Sequence, residues 1–228
     1  MFSGRRDPGS QTDHYEELSV VLIGMMDSPF VRRVAITMQM LGIDYRHRPL
    51  SIFKSFDEFR MVHPLVKVPT LVCDDGEMLV DSTLIIDYLE SLADPDKSLY
   101  PKDMSTRRSA LQQIGEALVG MEKTVQIVYE KGQRPSELRH PPWIDRLEQQ
   151  LSSAAGLMEA SVEATIEGGS DWLGGAEPMQ ADITTAVAWD FIQRVTSRTI
   201  RPSDHPYLVE FSEQAEALPA FLACPPKE

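Results

Sequence analysis

Apolar residues follow two different rhythms along the chain, one on either side of residues 93 to 103. Before that stretch, short apolar runs alternate with helical patterns. "LSVVLIG" (18 to 24) is short, rich in β-branched residues and closed by Gly24, which predicts a fully buried strand. In "SPFVRRVAITMQMLG", Phe30, Val31, Val34, Met38 and Leu41 recur at three- and four-residue spacing, and Gly42 stops the pattern. A helix is expected there, with Ser28 as its N-cap and Pro29 at the first helical position, where a missing N–H costs nothing. "IDYRHRPL" (43 to 50) predicts a second strand and residues 53 to 61 a helical connection. "VPTLVCDDGEMLV" (68 to 80) predicts two strands around an Asp-Asp-Gly turn. "DSTLIIDYLESL" (81 to 92) predicts a helix with Leu84, Ile85, Tyr88, Leu89 and Leu92 on its apolar face.

Beyond the proline-bearing "ADPDKSLYPKD" (93 to 103) only helical periods remain. Residues 104 to 131 carry Leu111, Ile114, Leu118, Met121, Val125 and Val128 at helical spacing, and 141 to 166 carry Ile144, Leu147, Leu151, Met158 and Val162. "ADITTAVAWDFIQRV" and "HPYLVEFSEQAEAL" supply two more helices. The change of pattern divides the chain into an α/β domain over 18 to 92, a linker over 93 to 103 and an all-helical domain over 104 to 228, with residues 1 to 17 a mobile tail. Strand, helix, strand, helix, hairpin, helix is compatible with a thioredoxin-like sheet, without being unique to it.

Composition narrows the partners. The chain has 228 residues, 42% of them apolar, enough for a buried core, and a formal net charge of -13. That charge argues against a broad electrostatic grip on nucleic acid or an anionic membrane, so an anionic ligand must be held locally. Cys73 and Cys224 are the only cysteines, and neither lies in a Cys-x-x-Cys pair or near histidines at metal-ligand spacing. Structural zinc and a dithiol redox centre are not expected. "GRR" near the start is followed by polar residues, unlike an export signal, and no run reaches the roughly 18 apolar residues of a membrane span. A reducing cytoplasm is the expected location.

Ser28 allows two readings, a helix cap or a reactive hydroxyl at the same position. Other stretches join it. "SPFVRRVAITMQMLGIDYRHRPLSIF", "HPLVKVPTLV", "LVDSTLIIDYLE", "SLYP", "ADIT" and "LPAFLAC", in this order from about residue 19 onward, resemble the soluble glutathione transferases, and within them the bacterial and plant-type members whose active site uses serine. The resemblance implies a thioredoxin-like N-terminal domain, an all-helical C-terminal domain and a homodimer. Glutathione is the implied co-substrate, with no metal or other cofactor, and its thiolate would attack a small hydrophobic electrophile.

The chemistry explains why those residue types serve. A thiol with a reference pKa of about 8.5 is only a few per cent ionised at pH 7. A charge-assisted hydrogen bond worth about 1.5 to 3 kcal/mol lowers that pKa by one to two units. By the resemblance, Ser28 supplies that bond while its helix N-terminus adds a favourable potential. No tyrosine is available in its loop, where Met25, Met26 and Asp27 stand. Asp27 opposes a thiolate, and it is expected to face away or to be offset by Arg32 or Arg33.

The remaining roles are also implied by the resemblance. Val68, before a cis Pro69, would pair its backbone with the cysteinyl part of glutathione. Ser82 would donate to the γ-glutamyl α-carboxylate and Asp81 accept from its amine, where the plain alternative for either is an N-cap. Many members carry glutamate where Asp81 stands, one methylene longer. Lys54 and Lys67 are candidates for the glycyl carboxylate, against a simple role as solvated charges. His63 takes no chemistry. Asp182 is structural, a helix-capping aspartate whose usual hydroxyl partner is replaced by Met179. Two rival functions share this scaffold: a glutathione-dependent isomerase or dehalogenase, and a non-catalytic binding or regulatory protein.

Overall fold

In the computed structural model, which describes residues 20 to 226, four short strands form one sheet. They are β1 (Val20–Ile23), β2 (Tyr45–Arg48), β3 (Thr70–Val72) and β4 (Met78–Val80), in the order β2-β1-β3-β4. β1 runs parallel to β2, with Val20 opposite Tyr45, and antiparallel to β3, with Ile23 opposite Thr70; β3 and β4 close the hairpin with Thr70 opposite Val80. The expected tail over residues 1 to 17 lies outside the described residues.

The apolar run of β1 has two destinations, because successive side chains leave opposite faces of a sheet. Leu22 and Leu71 join the main core under α1 (Pro29–Leu41) and α3 (Ser82–Leu92). Ile23 joins a second cluster with Leu50 and Phe59, the latter from α2 (Phe56–Val62), and Val21 and Val72 pack against it. α1 ends as its sequence predicts: Gly42 has φ 71°, and the N–H of Ile43 returns to the carbonyl of Met38 at 2.9 Å.

The helical part comprises α4 (Met104–Val128), α5 (Pro141–Glu167), α6 (Gln180–Thr196), α7 (Pro206–Glu216) and a short α8 (Pro219–Leu222) that the sequence pattern did not reveal. Residues 129 to 133 continue α4 as one wider π turn. α6 is buried nearly all round, packed among α4, α7 and α1, so its many small residues serve close approach. No described helix is long and apolar enough to cross a membrane.

One expected face is corrected. Leu84 and Leu92 are 64% and 53% exposed, and the buried side of α3 is Ser82, Ile85, Ile86 and Leu89. Leu111 of α4 is likewise exposed. Periodicity reports that a stripe is apolar; it does not report whether this chain or another surface covers its margin.

The two halves are joined through α1. Arg32, wholly buried, donates to both carboxylate oxygens of Glu216 at 2.6 Å, to Asp190 at 3.3 Å and to the carbonyl of Cys224 at 2.9 Å, with its guanidinium over the Phe221 ring. The segment following α7 is thereby fixed to a helix of the sheet domain.

Candidate functional site

β1 delivers the chain to the site through Gly24. Its φ is 139°, and a Cβ there would lie 2.5 Å from Val31 Cγ2 and 3.0 Å from Val68 Cγ1, so only glycine lets the strand end, α1 and the loop before β3 close together. The loop then turns at Met25, whose carbonyl accepts from the N–H of Ser28 at 3.2 Å, and α1 begins.

Ser28 is the N-cap by position, with extended backbone (φ -72°, ψ 121°), and its carbonyl accepts from the N–H of Arg32 at 2.9 Å. Its side chain makes no capping hydrogen bond. This corrects the expectation that the hydroxyl serves as a cap. Pro29 brings no N–H, so the orphan donors of the first turn are those of Phe30 and Val31, and the half-buried hydroxyl is not consumed by them.

The Val68–Pro69 peptide is cis. The N–H and C=O of Val68 find no hydrogen-bond partner among the described residues, whereas Thr70 Oγ1 ties the same loop by donating to the carbonyl of Lys67 at 2.7 Å. The Val68 side chain packs close over Gly24, which sets this residue near the start of the loop that carries Ser28.

Asp81 and Ser82 open α3. Asp81 has φ 76°, unusual for a residue with a Cβ, and its carboxylate accepts from the N–H of Thr83 at 2.9 Å, which is the capping role. Ser82 is 3% exposed, and its hydroxyl oxygen accepts from Arg33 Nη1 at 3.1 Å; the same nitrogen donates to Thr83 Oγ1 at 3.2 Å. Arg33 is entirely buried, and its Nε and Nη2 have no partner among the described residues. Burial lowers its pKa to about 10, opposed by Tyr100 and Asp81 nearby, so it remains a cation at neutral pH.

Lys54 and Lys67 are both exposed, with Lys67 Nζ 6.0 Å from the centre of the Phe30 ring. Lys54 follows Phe53, whose ring lies 5.4 Å from that of Tyr129 at the end of α4, linking this loop to the helical part. His63 Nδ1 accepts from the N–H of Leu65 at 3.3 Å, a local turn contact. Arg32 and Arg33, expected as counter-charges for Asp27, direct their guanidiniums to the far end of the chain and to the start of α3.

Asp182 lies apart from this group. Its carboxylate accepts from the backbone N–H groups of Leu173, Gly174 and Met179 at 2.7, 3.1 and 2.8 Å, tying the preceding loop to α6. Of the capping box, the half that Asp182 supplies is formed, its carboxylate accepting from the N–H of Met179 at the N-cap. Burial nonetheless pushes the Asp182 carboxyl up to about 6, against the pull of those donors.

The sequence reading left Arg33 without a place in the site. A signal was present: α1 must be covered by the sheet on one side and by helices on the other, so a charge in its middle has little solvent to reach.

Comparison with known proteins addresses the family and the fold. Residues 22 to 97 match the family model described as glutathione S-transferase, N-terminal domain. A probable maleylacetoacetate isomerase 1 from Drosophila melanogaster is 34% identical over 137 residues, covering 54% of each chain, so the match spans about half of that relative. The maleylacetoacetate isomerase of Pseudomonas aeruginosa is 30% identical over 163 residues, covering 66% of this chain and 71% of the relative. Among solved structures, a glutathione S-transferase from Methylobacterium radiotolerans in complex with glutathione sulfonate superposes with a TM-score of 0.82 at 23% identity, covering 92% of this chain and 96% of its own. With a thioredoxin-like sheet, a helical second part, and the matched family model and relatives, the chain belongs to the glutathione transferase family.

Proposed function

We propose that this chain is a glutathione-dependent enzyme in which Ser28 stabilises the glutathione thiolate for addition to a small hydrophobic electrophile. The observation that carries this reading is the Ser28 hydroxyl: it stands at a helix N-terminus, in the loop whose start packs against Val68, and is not spent on capping. Val68, followed by the cis bond to Pro69, pairs with the cysteinyl backbone. Ser82 takes the γ-glutamyl α-carboxylate and Asp81 the amine. Lys54 and Lys67 are exposed, free to swing toward the glycyl carboxylate. Asp182 acts on the fold. Glutathione is the only small-molecule partner needed besides the electrophile, in a protein working in the cytoplasm.

Two outcomes follow from one thiolate. In conjugation, sulfur displaces a leaving group or adds across a double bond, and glutathione is consumed. In isomerisation, sulfur adds to a conjugated cis double bond, the resulting single bond rotates, and elimination of sulfur restores a trans double bond and free glutathione. The relatives named as maleylacetoacetate isomerases favour isomerisation. Exposed Leu84 and Leu92 on α3, with Met104 and Leu111 on α4, are the apolar surface by which two copies pair.

The test is glutathione titration of the wild type and Ser28→Ala, following thiolate absorbance against pH. Turnover of a cis-configured unsaturated diketo acid, with free glutathione counted before and after, then separates the two outcomes. Isomerisation leaves the glutathione count unchanged, conjugation lowers it one for one, and a wild type that binds no glutathione refutes the proposal.

A further inference from the structure

Arg33 is a buried cation whose hydrogen-bonded neighbours are both neutral. Its Nη1 meets the hydroxyls of Ser82 and Thr83, and among the described residues its Nε and Nη2 meet nothing and no carboxylate lies in ion-pair contact with it. The nearby acid, Asp81, accepts from the N–H of Thr83 instead. Such a charge is costly to keep out of water without an anion to answer it.

A guanidinium can only donate. Ser82 therefore accepts from Arg33 through a lone pair, and its single hydrogen cannot point back along that contact. A serine free to rotate could aim its hydrogen anywhere; this one keeps its hydrogen turned away from Arg33, toward whatever approaches from the other side. Its position as the first residue of α3 sets that donor among first-turn N–H groups, which also favour an anion.

We propose that Arg33 is a positioning residue that turns the Ser82 hydroxyl hydrogen toward the α-carboxylate of the γ-glutamyl end of glutathione, its charge acting only by polarising that hydroxyl. The inference rests on the glutathione reading above and adds a residue, with a selectivity, that the reading does not require. Arg33 acts through Ser82 and does not touch the ligand, since no part of it reaches the surface.

The test compares glutathione with γ-aminobutyryl-cysteinyl-glycine, the same tripeptide without the α-carboxylate, by calorimetric titration of the full chain. Arg33→Gln weakens glutathione by roughly tenfold and the analogue by less than about twofold. Arg33→Lys, which keeps the charge and one donor, recovers part of the difference. In a Ser82→Ala background, Arg33→Gln has no further effect on glutathione. Equal weakening of both ligands, or a loss that persists in the Ser82→Ala background, overturns the inference by showing that Arg33 only supports the fold. Should Arg33→Gln unfold before binding is measurable, Arg33→Lys carries the test: a change of about threefold or more in the ratio of the two affinities supports the role, and an unchanged ratio overturns it. If the wild type binds glutathione and only the Arg33 effects fail, the functional reading survives without this inference; if the wild type binds neither peptide, both fall.

Discussion

Arg32 grips Glu216 with two parallel hydrogen bonds of 2.6 Å, joining the third helical position past Pro29 to the last residue of α7. The guanidinium is wholly buried while Glu216 keeps some exposure, so most of the desolvation cost falls on the arginine. Arg32→Ala should cost about 3 to 5 kcal/mol of unfolding free energy, because it leaves Glu216 without its cation and the Cys224 carbonyl without its donor, while Asp190 keeps Arg194. Glu216→Gln should cost less, since Asp190 and the Cys224 carbonyl still engage the arginine. Urea unfolding of both variants decides this; equal losses would show that the pair itself is not the source.

Ser28→Ala should separate chemistry from stability. A serine whose hydroxyl caps its helix typically costs about 1 kcal/mol to replace, but here no such bond exists, and the loss should stay below about 0.5 kcal/mol. The bound thiol's pKa should rise by about one to two units. A large drop in melting temperature with an unmoved thiol pKa would reverse both assignments.

Asp182 gives a pH signature of definite sign. Its folded pKa of about 6 lies above the ordinary value of 3.8, so the native state holds this proton more tightly than the unfolded chain. The contribution is full below the unfolded pKa, declines as pH rises, and is lost above about 6; by linkage it is on the order of 3 kcal/mol. Asp182→Asn should remove that slope between about pH 4 and pH 6, seen as the difference between wild-type and variant unfolding curves. It should also destabilise at every pH, because the amide nitrogen cannot accept from the loop N–H groups.

Gly24→Ala tests the convergence of β1, α1 and the cis-proline loop. With φ 139° and a contact of 2.5 Å to Val31 waiting for any Cβ, the substitution should cost more than about 2 kcal/mol and weaken glutathione binding together with it. Thermal unfolding and titration on the same sample check the coupling. Loss of neither would mean that the close approach of Val31 and Val68 to Gly24 does not hold the site together.

Pairing through α3 and α4 predicts that Leu84→Glu or Met104→Glu shifts the chain toward a monomer in sedimentation velocity without altering its helical circular dichroism. A monomeric wild type would remove the pairing proposal directly.

Local punctuation made much of the fold legible. Gly42 ends α1, Pro29 begins it, and the Asp-Asp-Gly turn joins β3 to β4, because each acts through backbone preferences that neighbours rarely override. The positions of Ser28, Val68, Pro69, Asp81 and Ser82 followed from motifs in order. Whether a side chain is covered was less readable. Leu84 and Ile86 are similar in polarity, yet one is exposed and the other buried, since their fate depends on where α1 and the sheet lie. Arg32 and Arg33 carried the same difficulty in reverse: two adjacent charges, expected only as counter-charges for Asp27, are buried by helices from distant sequence.

Those adjacent arginines also split α1 between two obligations. One residue binds the helix to the segment after α7, the next to the start of α3, and Ser28 sits a turn before both. Cutting or fusing the chain near Cys224 would therefore be felt as a change in reactivity some two hundred residues earlier in sequence, since the bond between Arg32 and the Cys224 carbonyl spans a separation of 192. A change at Cys224 is thus a change in the setting of α1, and of the Ser28 that begins it.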